Sequence, residues 1–266
     1  MSITSTVVQQ AEVQFREAAV ELRPYVGCFW TISAECDATI RIVPDLSTSI
    51  STELTNGQWS GWWLRGPLAR PEERRFASPT TIVGVRLRPG VAFILSAISG
   101  EAMVGHRLQL STVATFRELV GGLPTPNTPA GCIDVLERFL IHRLSSTRVH
   151  DVVATALHEI ERDRGSSNIS DIARRCHVSA RHLNRLMHVW VGFGPKAIAG
   201  IVRFQATLEE IDHAPARPGA ALALETGYFD QAHLTANLSR FAGATPRQLA
   251  SRSASDFYKT RCDDPS

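Results

Sequence analysis

The stretch 172–196, IARRCHVSARHLNRLMHVWVGFGPK, decides the fold of the C-terminal part of the chain, because its pattern is written again at 221–249, ALALETGYFDQAHLTANLSRFAGATPRQL. In the first copy Ile169, Ile172, Ala173 and Cys176 recur at the i, i+3, i+4, i+7 spacing of one helix face. Ser179 is a favourable N-cap for a second helix, whose apolar face is Leu183, Leu186, Met187 and Trp190 and which ends at Gly192 and Pro195. Two short helices meeting at a tight turn are predicted.

The second copy aligns with the first through His182-Leu183 against His233-Leu234, Trp190 against Phe241, and Gly192 and Pro195 against Gly243 and Pro246, an offset of 51 residues. Before the turn the offset falls to 50, because the run from Gly227 to Gln231 holds one residue more than the matching run from His177. A repeat of this length is hard to obtain by chance. Between the copies Ile198, Ile201, Val202, Leu208 and Ile211 mark a long amphipathic helix opened by Pro195. It would hold two reading helices at a fixed separation, able to enter successive major-groove faces.

These residues resemble the DNA-binding domain of the AraC/XylS family of bacterial transcription regulators, most closely in GYFDQAHL and the GATP ending. The likeness covers roughly a third of the chain. It implies double-stranded DNA as partner, with a small-molecule effector, a homodimer and a contact with RNA polymerase as further partners to be tested. His177 stands where the family usually has a turn glycine, so it must adopt a left-handed backbone or the turn must differ.

On the first reading helix Arg181, Asn184, Arg185 and His188 form the stripe opposite the apolar face. Arginine reads guanine and asparagine reads adenine through paired hydrogen bonds, so this stripe suits base readout. Such a charged face is by itself most often merely solvated; the repeat and the resemblance turn the reading toward DNA. Arg174 and Arg175, with Lys196 and Arg203 nearby, are candidates for phosphate contact, and Ser179 is placed among the DNA-binding residues. The positions of the second helix that match the stripe are Ala232, Thr235, Ala236 and Ser239, none charged, with Gln231 and Arg240 beside them. Asp230 reads as an N-cap, His233 as a structural residue, and Asn237 as a polar residue where the first copy has core Leu186.

The 266 residues suffice for two domains, and 44% hydrophobic with 20% charged residues is a globular composition. A net charge of +2 requires any nucleic-acid surface to be local. No apolar run approaches the roughly 18 residues that span a bilayer and no secretory signal is evident, so a cytoplasmic protein is expected. Five cysteines without a C-x-x-C pair point to reduced thiols rather than disulfides or zinc.

From about Leu22 short alternating segments read as strands, up to the Pro89-Gly90 turn; Val91, Ile94, Leu95 and Ile98 then take helical spacing, with Gly100 as the stop. The aromatic residues Trp30, Trp59, Trp62 and Trp63, beside Phe29, are either core or the lining of an effector pocket. The fold class is therefore α+β in two domains: an N-terminal small antiparallel β-barrel or sandwich with helices, and a C-terminal all-α bipartite helix-turn-helix domain. The bounds are 1–122 for a sensing or dimerising domain, 123–149 for a Pro-rich linker and connecting helix, 150–252 for the DNA-binding domain and 253–266 for a tail.

No nucleophile elbow, dinucleotide fingerprint or phosphate loop is present, and His106, His142 and His150 are too few and too scattered for a metal enzyme, so no catalytic residue, metal or cofactor is expected. The competing reading is a small-molecule-binding protein or small-barrel enzyme whose helical half serves protein contacts.

Overall fold

The computed structural model describes residues 6–8, 11–77, 79–116, 128–215 and 217–251. The first five residues of the expected linker and connecting helix, 123–127, and all of the tail, 253–266, lie outside them.

The N-terminal half runs through β1 (Thr6–Val8), β2 (Ala11–Arg16), β3 (Val26–Ala34), β4 (Ala38–Ile42), β5 (Thr48–Thr55), β6 (Gln58–Arg65), β7 (Glu72–Phe76), β8 (Thr80–Leu87) and β9 (Arg107–Gln109). Seven of these form one antiparallel sheet in the order β1-β2-β3-β8-β5-β6-β9, and β4 pairs with β7 in a two-stranded ribbon. Among the described residues the ribbon and the sheet share no ladder, so the architecture is a sandwich and not a closed barrel.

Side chains alternate across a strand, and this assigns the sheet's two faces. Phe29, Ile50, Leu64, Val83, Val85 and Leu87 point to one side and pack on helices. Trp30, Ile32 and Ile82 point to the other and meet Ile40 and Phe76 of the ribbon. Gly84 is required there: a Cβ would lie 2.4 Å from Cζ2 of Trp30, whose indole crosses β8 at that point.

After the left-handed Gly90 the chain forms α1 (Val91–Ser96), stopped by Ala97 at φ 57°. Gly100 does not terminate that helix, contrary to expectation. It opens a further short one, α2 (Gly100–Met103), because Ser99 caps it by accepting from the Ala102 N–H at 3.4 Å. The following helix, α3 (Pro129–Leu144), lies on the sheet and buries Cys132, Leu136 and Leu140 against it. Arg16 of β2 anchors it through Asp134 and Glu137, each at 2.9 Å.

The C-terminal half is helical: α4 (Asp151–Arg162), α5 (Ile169–Arg175), α6 (Ala180–Trp190), α7 (Pro195–His213), α8 (Gly219–Glu225), α9 (Gln231–Ala242) and α10 (Pro246–Ser251). One core runs through them, and Val43 and Leu46 from the β half belong to it. Two cysteine findings qualify the expectation of reduced thiols. Cys36, Cys132 and Cys176 form no disulfide, but Cys28 is disulfide-bonded. Among the described residues no helix is long and apolar enough to cross a membrane.

Candidate nucleic-acid interface and a cavity

The two halves of the repeat make the same backbone hydrogen bonds at the same offsets. Ahead of the turn the offset is 50: His177 and Gly227 N–H donate to Arg174 and Leu224 C=O at 3.0 and 3.3 Å, and Val178 and Tyr228 N–H donate to Ala173 and Ala223 C=O at 3.0 and 2.8 Å. Beyond it the offset is 51: Ser179 Oγ accepts from His182 N–H at 3.1 Å, and Asp230 Oδ1 accepts from His233 N–H at 2.7 Å. His177 does adopt the left-handed backbone, at φ 55° against 74° for Gly227.

The change of offset identifies the inserted residue as Phe229, which has no counterpart in the first copy and is 93% exposed. The sequence contained that signal in the insertion itself. His233 is structural: its ring stands edge-on to Tyr228 at 5.2 Å and its Nδ1 accepts from Phe229 N–H at 3.5 Å.

On α6, Arg181, Asn184 and Arg185 are exposed, and an Arg185 Nη2 lies 3.3 Å from His182 Nδ1. His188 is placed differently. It is half-buried, with Nδ1 3.8 Å from the Glu101 carboxylate of α2, so it lies at the seam with the N-terminal half. Arg174 pairs with Asp171 at 2.8 Å and Arg175 with Glu159 at 2.7 Å, both still open to solvent; Lys196 is exposed on the first turn of α7. Arg203 is not available for phosphate: it donates to Gly165 C=O and stacks on Tyr228.

Along α9, Gln231, Ala232, Ala236, Ser239 and Arg240 are exposed. Arg240 lies over its neighbour Phe241 at 4.9 Å. Thr235 returns its hydroxyl to Gln231 C=O at 2.8 Å, and Asn237 donates to His233 C=O at 3.2 Å, which explains how a polar residue stands at that position.

The four tryptophans do not converge. A β-bulge in the β5–β6 pair, between Thr52 and Leu54, puts Trp59 and Trp62 together on the helix-facing core. Trp63 lies on the opposite face beneath the Arg107 guanidinium, 4.2 Å from the ring centre, and Trp30 alone lines a cavity. That cavity, about 60 Å³, sits between the sheet and the β4–β7 ribbon. Its apolar wall is Trp30, Ile32, Ile40, Phe76 and Ile82; Arg65, Arg74 and Arg107 form a basic wall that periodicity did not reveal.

Arg74 bonds Glu53, and Arg107 lies 3.9 Å from the same carboxylate. Burial lowers the pKa of both arginines from the ordinary value, and the neighbouring guanidiniums add to it. Among the described residues, no group of three or more His, Cys, Asp or Glu is placed to hold a metal ion.

A family model described as a helix-turn-helix domain matches residues 172–252, and one described as a domain of unknown function, DUF6597, matches residues 15–109. No curated protein matches the chain. Among solved structures, the C-terminal domain of AraT, a response regulator from Geobacillus stearothermophilus, is 19% identical, with 40% of this chain and 90% of that one covered and a TM-score of 0.38. ToxT from Vibrio cholerae is 10% identical over 91% of this chain and 97% of its own, with a TM-score of 0.44. ToxT bound to an unsaturated fatty acid is 10% identical over 88% and 96%, with a TM-score of 0.42.

Proposed function

We propose that this chain, whose residues 172–252 match a family model of a helix-turn-helix domain, is a regulator of the AraC/XylS type that reads specific DNA sequences with α6 and α9 and answers to a small molecule through its β-rich half. The observation that carries this reading is the repeated turn-and-cap geometry, which presents the N-terminal ends of both helices outward on one framework. The working division is 1–122 for sensing or dimerising, 123–149 for the connection and 150–252 for DNA, in a cytoplasmic protein without catalytic activity. Self-association and a contact with RNA polymerase belong to the same reading.

Arg181, Asn184 and Arg185 are assigned to base edges, and Arg174, Arg175 and Lys196 to phosphates. Ser179 caps α6 beside the backbone. On the second helix Gln231, Thr235, Ala236, Ser239 and Arg240 offer methyls, hydroxyls and one charge, and Phe229 joins them as an apolar group suited to a thymine methyl. His188, held at the seam, is withdrawn from base readout and assigned to bracing α6.

The test is selection of bound genomic fragments, followed by titration of the selected duplex with wild type, Arg181→Ala, Arg185→Ala and Phe229→Ala. Truncating a side chain that touches a base edge should cost about 1–3 kcal/mol, with a shallower salt dependence only where a phosphate partner is removed. Unchanged specific affinity for both arginine variants at constant fold would defeat the readout by α6.

A further inference from the structure

The cavity has three properties that together define an occupant. Its size comes first. A water needs about 10–15 Å³ of such space, so about 60 Å³ accommodates roughly four to six non-hydrogen atoms. A long chain or a multi-ring compound does not fit without rearrangement.

Charge comes second. The wall carries Arg65, Arg74, Arg86 and Arg107. Arg86 is matched by Asp45 at 2.9 Å. The other three guanidiniums share Glu53 and, 3.8 Å from Arg65, the half-exposed Glu72. That leaves one positive charge in excess over the carboxylates of the cluster. Nε of Arg65 is buried without a hydrogen-bond partner among the described residues, and Trp63 holds the Arg107 fork flat from below. A guanidinium N–H buried without a partner, as Arg65 Nε is, is costly unless an acceptor with negative charge meets it.

The third property is the apolar part of the lining, where Trp30, Ile32, Phe76 and Ile82 accept hydrocarbon and the Arg74 guanidinium lies 5.0 Å from the Phe76 ring centre. We infer that this cavity is the seat of a small organic monoanion, a short-chain monocarboxylate whose oxygens face Arg65, Arg74 and Arg107 and whose carbons face Trp30. The inference rests on the reading of the N-terminal half as a sensor and names its ligand class. An open groove of about 360 Å³ between the two halves shares Asp45, Ser47, Arg86 and Gln205 with the cavity, so the Asp45–Arg86 pair lines both.

The experiment titrates the full chain, at constant ionic strength, with acetate, propionate, butyrate, octanoate, inorganic phosphate and the neutral propionamide. Thermal melting and tryptophan emission are followed, and duplex binding is measured on the same samples. Propionate or butyrate should saturate both signals in the millimolar range or below, acetate should bind more weakly, and octanoate and propionamide should not bind. Arg65→Gln should weaken the carboxylate by about tenfold. Ile82→Phe, which adds volume to the apolar lining and removes no arginine, should exclude butyrate before acetate and decides the matter if Arg65→Gln fails to fold.

Equal binding of propionamide, tighter binding of octanoate, or a response to phosphate alone would each overturn the monocarboxylate assignment. So would silence toward every anion in a sample that binds DNA, which would leave the arginines as structural ion pairs while the regulator reading stood. A carboxylate response in a chain that binds no duplex even at low salt would have the opposite meaning: the anion site would hold and the regulator reading would fall.

Discussion

At the scale of single residues, the turn of the first helix pair is the most exacting position. His177 carries φ 55°, a conformation in which a Cβ crowds the backbone, where the second copy uses Gly227 at 74°. The imidazole is exposed and not packed in the core. His177→Gly should therefore stabilise the fold by about 1 kcal/mol, the relief of left-handed strain exceeding the added chain entropy of glycine in the unfolded state. Chemical denaturation with an unchanged m-value checks it; a loss of stability would mean that the imidazole makes an interaction worth more than the strain. Gly84 is the reverse case, because there the absence of a side chain is what lets Trp30 lie across the sheet and wall the cavity. A glycine in a strand interior gave no hint of which aromatic ring it was making room for.

At the scale of elements, the helix pairs are held by their caps. Ser179 and Asp230 occupy equivalent positions and satisfy equivalent N–H groups, so Ser179→Ala and Asp230→Ala should each cost about 1 kcal/mol by thermal or denaturant unfolding. Their effects on specific DNA affinity should differ, because α6 carries Arg181, Asn184 and Arg185 whereas α9 offers methyls and hydroxyls at the matching places. The repeat, its caps and its inserted residue were legible in the sequence since each depends on residues close together in the chain, with a period of 3.6 and fixed turn chemistry. The cavity was not. Its walls come from β3, β4, β5, β6, β7, β8, β9 and α7, and which residues meet there is set by strand order and one bulge. Trp59, Trp62 and Trp63 look like one aromatic cluster in the sequence, but the pleat sends Trp63 to the opposite face.

At the scale of the whole molecule, the two halves are built against each other along α6 and α7. Phe93 of α1 packs on Trp190 of α6 with ring centres 4.7 Å apart. Gln205 of α7 donates to Pro44 C=O at 2.6 Å, and the same side chain reaches the cavity wall. At the end of α6 the backbones themselves touch: a Cβ on Gly100 would lie 2.4 Å from the Gly192 nitrogen and 2.6 Å from the Val191 carbonyl carbon. No flexible side chain is there to yield, so a substitution must move one half relative to the other. Gly100→Val should therefore lower stability by about 1–3 kcal/mol. Because the displaced element is α6, it should also change affinity for the selected duplex, whereas Gly105→Ala, in a left-handed turn with no atom within 4 Å of its Cβ position, should cost stability without altering DNA affinity. Hydrogen exchange on α6 separates the alternatives. Faster exchange of α6 amides in Gly100→Val places the seam on the route between the β-rich half and the reading helix, and unchanged exchange with unchanged affinity would show that the two halves meet there without influencing each other.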